Sequence, residues 1–180
     1  MASAERKAID KVFILLGVMA TVALLAVSAL GSVGHQFATS QVKNELSAQK
    51  IYFPPKGSPA FSPEEFPDIQ KYAGQIVDDG PKAKAYANSY IARHLEKVAG
   101  GKTYAEVSAQ AMKDPANATL QQQKATLFQG ETLRGLLLGD GYAYWTFGMM
   151  ALYASIGALV AAMIMAVLVL LGVRHLKRLR

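Results

Sequence analysis

The chain has 180 residues, 52% of them hydrophobic, and a mean hydropathy of +0.18. It contains no cysteine, which excludes disulfide bonds, cysteine nucleophiles and thiolate metal sites. The formal net charge is +6, but two long charge-free runs divide the charged side chains into three regions. This division predicts an all-α membrane protein in which two transmembrane helices flank one small, mainly helical extracytoplasmic domain.

The first charge-free run extends from Val12 to Val42. About 20 helical residues cross the hydrocarbon core of a bilayer. Residues 12–36 are therefore predicted to form transmembrane helix 1, after a cytoplasmic N-terminus of residues 1–11. A secretory signal peptide cleaved near Ser28 is the alternative. Its apolar core would have about 7–15 residues, whereas this run is about twice as long, which favours a retained anchor.

The predicted extracytoplasmic domain, residues 37–140, begins with the continuation of helix 1 to about Ser47 and then a proline-rich strap, residues 51–69. The strap contains five prolines, which fix φ and remove backbone donors, so a long helix or a central strand is excluded. The aromatic side chains of Phe53, Phe61 and Phe66 alternate with these prolines and are predicted to fill the core of the domain. A proline-rich surface offered to a partner is the alternative.

Helix signals follow the strap. Asp79 or Gly80 is predicted to begin a helix that ends at Val98 or Ala99, with Gly100 as its left-handed cap. The sequence from Thr103 to Glu106 has the pattern of a capping box and predicts a second, short helix. From Ala116 onward the chain again has helical spacing, which is expected to continue into the second span.

The sequence Gly-Gly-Lys-Thr at residues 100–103 resembles the end of a phosphate-binding loop. Such a loop needs a glycine five residues before its final Gly-Lys, where this chain has Glu96, and it needs a preceding buried strand. The two glycines are therefore interpreted as a turn between helices, and no nucleotide is expected to bind.

The second charge-free run predicts transmembrane helix 2 over residues 141–173. Tyr142, Tyr144 and Trp145 stand where an interfacial aromatic belt is expected. Small residues recur along this span and predict a helix-packing face, either against the first span or against helices of other membrane proteins in a homo- or hetero-oligomer. These residues are Ala154, Gly157, Ala158, Ala161, Ala162 and Ala166.

The basic residues predict the topology. Both ends of the chain are basic, and residues 174–180 form a basic cytoplasmic tail that contains no acid. Lysine and arginine next to a span favour the cytoplasmic side, so both termini are predicted to be cytoplasmic and the central domain to lie outside the plasma membrane. The net positive charge indicates contact with the lipid bilayer through anionic headgroups, and no nucleic-acid partner is expected.

No catalytic residue, cofactor or metal site is predicted. The three histidines are His35 in the first run, His94 in the outer domain and His175 in the basic tail, and two outer histidines without an acidic motif make a poor metal site. A small outer-domain pocket formed by Tyr86, Tyr90 and His94 is the basis of an alternative, a ligand-binding or sensory module.

An envelope hydrolase is a third hypothesis. It would use one of the carboxylates of Glu64, Glu65 and Asp68, which lie in turn-rich sequence. Solvated or capping roles are the ordinary interpretation of acids in such a segment.

Four stretches carry a resemblance to a known family: "AQKI", "GPKAKAYANSYIARHL", "GGKTYAEVS" and "LFQGETLRGLLL". Over residues 40–150 the chain resembles an uncharacterised family of two-span membrane proteins from actinobacteria. Proteins of that family are sometimes labelled aromatic ring-opening dioxygenases. Such chemistry needs an iron site of two histidines and one carboxylate, and the outer side has only His94 and, at the membrane edge, His35, so the label is set aside. The resemblance implies the two-span layout and no activity.

The leading hypothesis is therefore a non-enzymatic protein of the plasma membrane. It would act as an accessory or scaffold component of a membrane or cell-envelope assembly.

Overall fold

A computed structural model describes residues 2–178 of the chain, so Met1, Leu179 and Arg180 lie outside the described residues, the last of them a basic residue of the predicted tail. The described residues form helices and turns and no β-strand, and two of the helices are long and apolar. The prediction of an all-helical chain with two long apolar helices is confirmed.

The helices are named in chain order. The α-helices are α1 (Ala2–Ala48), α2 (Gly80–Ala85), α3 (Ala92–Ala99), α4 (Tyr104–Lys113), α5 (Ala118–Leu136) and α6 (Tyr144–Arg178). Two π-helical segments make continuous connections: π1 (Tyr86–Ile91) joins α2 to α3, and π2 (Leu137–Ala143) joins α5 to α6. Short 3-10 turns lie at Pro59–Phe61 and Gln70–Tyr72.

The chain divides into two compact units. The helix-pair unit consists of Met1–Phe37 and Phe147–Arg180, and thus contains most of α1 and α6. The central unit is Ala38–Thr146 and contains the remaining helices together with the strap.

The helix ends of the central unit follow the capping signals in the sequence. The Asp79 carboxylate accepts a hydrogen bond from the Lys82 backbone N–H at 2.8 Å and caps α2. Gly100 ends α3 with φ of +59°, in the left-handed region that glycine adopts without strain. The capping box is present as well, because the Thr103 N–H donates to the Glu106 carboxylate at 2.7 Å. These three predictions are confirmed, and Gly100-Gly101 is a turn between helices.

The π-helical segments were not predicted, since residues 80–99 have the spacing of one regular helix. A π-turn shifts the hydrogen-bond register by one residue, so that a backbone N–H donates to the carbonyl five residues before it. Within π1, the Ala87 carbonyl accepts in this way from the Ala92 N–H and also accepts a hydrogen bond from Arg134 Nε of α5 at 3.1 Å. Arg134 also forms an ion pair with Glu131 of its own helix, so α5 holds the widened turn through a positioned guanidinium.

Aromatic rings from the strap fill the core of the central unit, which confirms the packing predicted for them. Phe53, Phe61 and Phe66 are each at most 3% exposed. The Phe61 ring stacks on the Phe66 ring at 5.4 Å between centroids, and Phe53 stacks on Tyr72 at 5.2 Å. Buried aromatic pairs of this geometry stabilise a core beyond the area that they bury.

Ion pairs fasten the outside of the strap to α3. Arg93 donates to the Asp68 carboxylate at 2.7 Å and to the Glu65 carbonyl at 3.1 Å, while Lys97 pairs with the Glu65 carboxylate. The hydrogen bond from Arg93 lowers the pKa of Asp68 below its ordinary value; burial opposes this effect, and a hydrogen bond from Ser89 adds to it. Because these pairs are partly exposed, each contributes little to the free energy of unfolding. Their main effect is to hold the strap in position against α3.

We expect Phe61→Ala to lower the free energy of unfolding of the central unit by about 3–5 kcal/mol, because a fully buried ring leaves a cavity. Phe128→Ala is the matched control: it makes the same chemical change at a side chain that is 58% exposed, and we expect a change within about 0.5 kcal/mol. Equilibrium unfolding of the full chain in detergent, followed by near-UV circular dichroism, measures both. Equal losses in the two variants would contradict the assigned core.

Candidate functional site

The helix-pair unit has a seam of mostly small or polar side chains, with four larger apolar ones, at positions that recur every three or four residues on both helices. This alternation averages 3.5 residues, the repeat that keeps one face of a helix against its neighbour. All of these residues are buried or half-buried, whereas most of the residues between them are exposed. The seam positions of α1 are Ile14, Gly17, Thr21, Leu24, Ser28, Gly31 and His35, and those of α6 are Gly148, Ala151, Ser155, Ala158, Ala162, Met165, Val169 and Gly172.

Three serines form a hydrogen-bonded cluster in the middle of this seam. The Ser155 hydroxyl donates to the Ser28 carbonyl at 2.6 Å, and the Ser32 hydroxyl lies 2.8 Å from Ser155 Oγ. Ser28 Oγ lies 3.3 Å from the same atom. Since the proton of Ser155 is used on the carbonyl, Ser32 must be the donor in its contact with Ser155. Ser155 and Ser28 are at most 8% exposed, so the cluster joins the helices within an apolar surround.

Glycines bring the two backbones close on either side of the cluster. A Cβ atom added at Gly31 would lie 2.9 Å from the Ala151 carbonyl oxygen, too close to be accommodated without a shift. One added at Gly17 would lie 2.7 Å from a methyl of Val169. The absence of side chains at these positions is therefore what permits the approach, as in other closely packed apolar helices.

Two further polar groups of the seam bond to backbone carbonyls. The Thr21 hydroxyl donates to the Gly17 carbonyl at 2.8 Å within α1. His35 Nδ1 lies 3.0 Å from the Gly148 carbonyl of α6. Because a carbonyl only accepts, this nitrogen carries the proton, and His35 acts as a link between helices.

The six small residues predicted as a packing face lie on different sides of α6. Ala162 is 1% exposed and Ala158 lies beside it in the seam, whereas Ala154 and Gly157 are exposed. Ala161 and Ala166 are half-buried. The physical reason is helical geometry: a spacing of four advances about 40° around the helix at each step, while a spacing of three and four alternately stays on one face.

The residues of the predicted pocket take two different environments. The Tyr86 ring lies 5.1 Å from the Phe53 ring and 4.9 Å from Tyr90, and Tyr90 lies 5.4 Å from Phe66. Burial raises the pKa of Tyr86 to about 12. Both rings thus belong to the aromatic core, and His94 is exposed on the surface of α3.

The candidate acids of the strap are engaged in structural contacts. Glu65 pairs with Lys97, and Asp68 with Arg93, while Glu64 is exposed. Across residues 2–178 no group of three or more histidine, cysteine, aspartate or glutamate side chains is placed to hold a metal ion.

Trp145, which was assigned to an interfacial belt, packs within the central unit. A Cβ atom added at Gly80 would lie 2.5 Å from its indole ring. Tyr142 stacks on Trp145 at 6.4 Å, and Lys84 Nζ lies 4.6 Å from the centre of the Tyr142 ring. Gly80 is thus required for close packing in addition to beginning α2.

Two cavities have features that the sequence did not indicate. In the helix-pair unit, a cavity of about 220 Å³ lies at the end of the seam that contains Asp10 and His175. In the central unit, a groove of about 260 Å³ is lined by both apolar and polar side chains. Its lining residues are Gln41, Val42, Glu45, Leu46, Gln49, Leu136, Leu137, Asp140 and Tyr144.

Comparisons with family profiles, with curated proteins and with solved structures found no match to this chain. The resemblance to actinobacterial two-span proteins therefore stays a prediction.

We expect Ala162→Leu to reduce the free energy with which α1 and α6 pack together by about 1–3 kcal/mol, because three extra carbons must enter a closely packed seam. Ala154→Leu makes the same change on the same helix at an exposed position and should leave the pair unchanged. Titration of the full chain with a denaturing detergent, followed by helix content and by particle mass, measures the effect. An unaffected Ala162→Leu protein would contradict the seam, and a change of particle mass in Ala154→Leu would identify the exposed small residues as a docking face.

Proposed function

We propose that the chain is a two-span protein of the plasma membrane, a non-enzymatic accessory or scaffold component of a membrane or cell-envelope assembly. The observation that carries the proposal is the distribution of side chains in the helix-pair unit. Most large apolar side chains point away from the seam, and between 42 and 72% of their surface is exposed at positions such as Leu30 and Leu159. Small or polar side chains occupy most of the seam positions instead.

This distribution is the reverse of the one that water favours. Burying one large aliphatic side chain is worth about 1.5–3 kcal/mol in water, and both helices leave such side chains exposed along their length. In lipid no free energy is lost by exposing them, and helices associate through small residues and hydrogen bonds. Each helix also contains an 18-residue window of mean hydropathy 2.6 or 2.8, long enough to span the hydrocarbon core.

The charge pattern supports cytoplasmic termini. Arg6, Lys7 and Lys11 precede the first charge-free run, and Arg174, Lys177 and Arg178 follow the second. Lysine and arginine next to a span favour the cytoplasmic side. The central unit would then lie on the outer side of the membrane.

A scaffold role is supported by the way in which the central unit uses its tyrosine and carboxylate side chains. Its tyrosines Tyr86 and Tyr90 belong to a filled aromatic core, and its carboxylates Glu65 and Asp68 belong to ion pairs. The groups available to a partner lie on the surface. In the central unit they include the exposed Tyr104–Phe128 ring pair, at 5.8 Å between centroids, and in the helix-pair unit they include the exposed small residues of α6.

Topology can be tested by single-cysteine labelling, because the natural chain has no cysteine to react. Lys113→Cys introduces a thiol at an exposed position of α4, and Lys177→Cys introduces one at an exposed position near the end of α6. In intact cells a membrane-impermeant maleimide should label the first variant and should label the second only after permeabilisation.

The unsubstituted chain is the control and should remain unlabelled. Equal labelling of both variants in intact cells would contradict the topology. Release of the protein from membranes by alkaline carbonate would contradict integral insertion itself.

A ligand-binding or sensory module is the second candidate, and the groove of the central unit favours it. Glu45 and Asp140 line the groove from facing helices, and neither forms an ion pair within 4.0 Å among the described residues. Gln41 orients the Glu45 carboxylate through a hydrogen bond of 3.1 Å. Two carboxylates without an ion pair in a groove that is otherwise partly apolar suit a small organic cation.

Spermidine is a suitable probe for this second candidate. A ligand that binds the folded state raises the melting temperature with its concentration, so millimolar spermidine should stabilise the unsubstituted chain more than the Glu45→Gln/Asp140→Asn variant. Glu64→Gln/Glu96→Gln removes two exposed carboxylates outside the groove and is the control. Equal stabilisation of all three proteins would indicate unspecific charge binding and would contradict the candidate.

A further inference from the structure

The cavity of the helix-pair unit lies between α1 and α6, where the two ends of the chain meet the seam. Among the described residues, apolar side chains and two glycines form most of its wall, and the polar side chains are one carboxylate and one imidazole. The lining residues are Asp10, Phe13, Ile14, Gly17, Met165, Leu168, Val169, Gly172 and His175.

Asp10 has an oxygen that no other group satisfies. Its Oδ2 atom is buried and has no hydrogen-bond partner among the described residues. A buried charged acceptor without a donor is costly, and in native proteins such a group usually has a ligand or a functional role. Several cationic side chains stand near in sequence, including Lys7 and Lys11, yet no described one forms an ion pair with Asp10.

The position of the cavity along the spans indicates what can reach it. Asp10 lies two residues before the first charge-free run, and His175 lies two residues after the second. In the proposed membrane orientation this depth is the interface, where lipid headgroups lie above the first acyl carbons. A ligand entering there would meet the carboxylate with its head and the wall of Phe13, Ile14 and Leu168 with its chain.

We propose that this cavity binds a membrane lipid whose headgroup carries a primary ammonium, which donates a hydrogen bond to Asp10 Oδ2. A primary ammonium brings both the positive charge and the N–H donors that this oxygen lacks. The exposed imidazole of His175, together with the neighbouring Arg174, can interact with the phosphate of the same headgroup. The inference depends on the membrane location proposed above.

Other classes of ligand fit the cavity less well. A hard cation such as Mg²⁺ or Ca²⁺ needs about six or more oxygen ligands, whereas the wall is mostly hydrocarbon. The carboxylate of Asp10 repels a headgroup whose only charge is negative. A quaternary ammonium has the required charge but no hydrogen to donate, which makes phosphatidylcholine the natural control ligand.

The experiment compares the full chain in nanodiscs that contain phosphatidylethanolamine or phosphatidylcholine with identical acyl chains, each at the same fraction of anionic lipid. Native mass spectrometry counts the lipids that stay bound after release from the disc. We expect about tenfold greater retention of phosphatidylethanolamine, the effect of one hydrogen bond to a charged group, and a preference close to unity in Asp10→Asn. Glu5→Gln removes an exposed carboxylate of the same helix outside the cavity and should keep the preference.

Each outcome is decisive. Equal retention of the two lipids by the unsubstituted chain, a comparison that needs no variant, would overturn the proposal. A preference that survives in Asp10→Asn would overturn it also, because the ammonium would bind elsewhere. A different result would be that octylamine binds the unsubstituted chain without displacing either lipid and does not bind Asp10→Asn. That result would overturn the lipid proposal and identify the ligand as a free amphiphilic amine. Failure of the chain to enter discs of either composition would refute the membrane location instead.

Discussion

The closeness of the two apolar helices is the constraint on which the account depends. Gly31 lies so near the Ala151 carbonyl that no side chain fits there, and the Ser155 hydroxyl reaches the Ser28 carbonyl at 2.6 Å. Such contacts exist only where the seam has small or polar residues. Most of the large apolar side chains lie on the outside of the pair, and their exposure is what favours lipid as the surroundings.

In the central unit, stability has a different origin. Its core is built from aromatic rings that the prolines of the strap hold in irregular backbone, and ion pairs such as Arg93–Asp68 fasten the strap to α3. With no cysteine available, aromatic packing stabilises the central unit in place of disulfide bonds. The use of Tyr86 and Tyr90 as core residues leaves them unsuited to an open ligand pocket, which is why a scaffold role is the first proposal.

Local features of the sequence were predictable because their causes are local. The charge-free runs indicate the two long helices, Gly100 indicates the end of α3, and Thr103 with Glu106 indicates the start of α4. What was not predictable depends on neighbours distant in sequence. Arg134 donates a hydrogen bond to the Ala87 carbonyl of π1 from 47 residues further along the chain, and the Ser28–Ser155 contact joins residues 127 positions apart.

The spacing of alanines by four suggested one continuous stripe, whereas the seam follows a repeat of three and four that includes glycine, serine and valine. The cavity at Asp10 arises only when two helices meet, so no motif in either one could indicate it.

The central claim is that Ser28 and Ser155 face each other in the seam while the protein is in its membrane. The most direct test is the double variant Ser28→Cys/Ser155→Cys, oxidised in native membranes without detergent, since the chain has no other cysteine. The account predicts an intramolecular disulfide, detected by the joining of the two ends of the chain after proteolysis within the central unit. Ser28→Cys/Ala154→Cys, with the second thiol at an exposed position, should not cross-link within one chain. Absence of the disulfide in the first variant, or its formation only between two copies of the chain, would contradict the account.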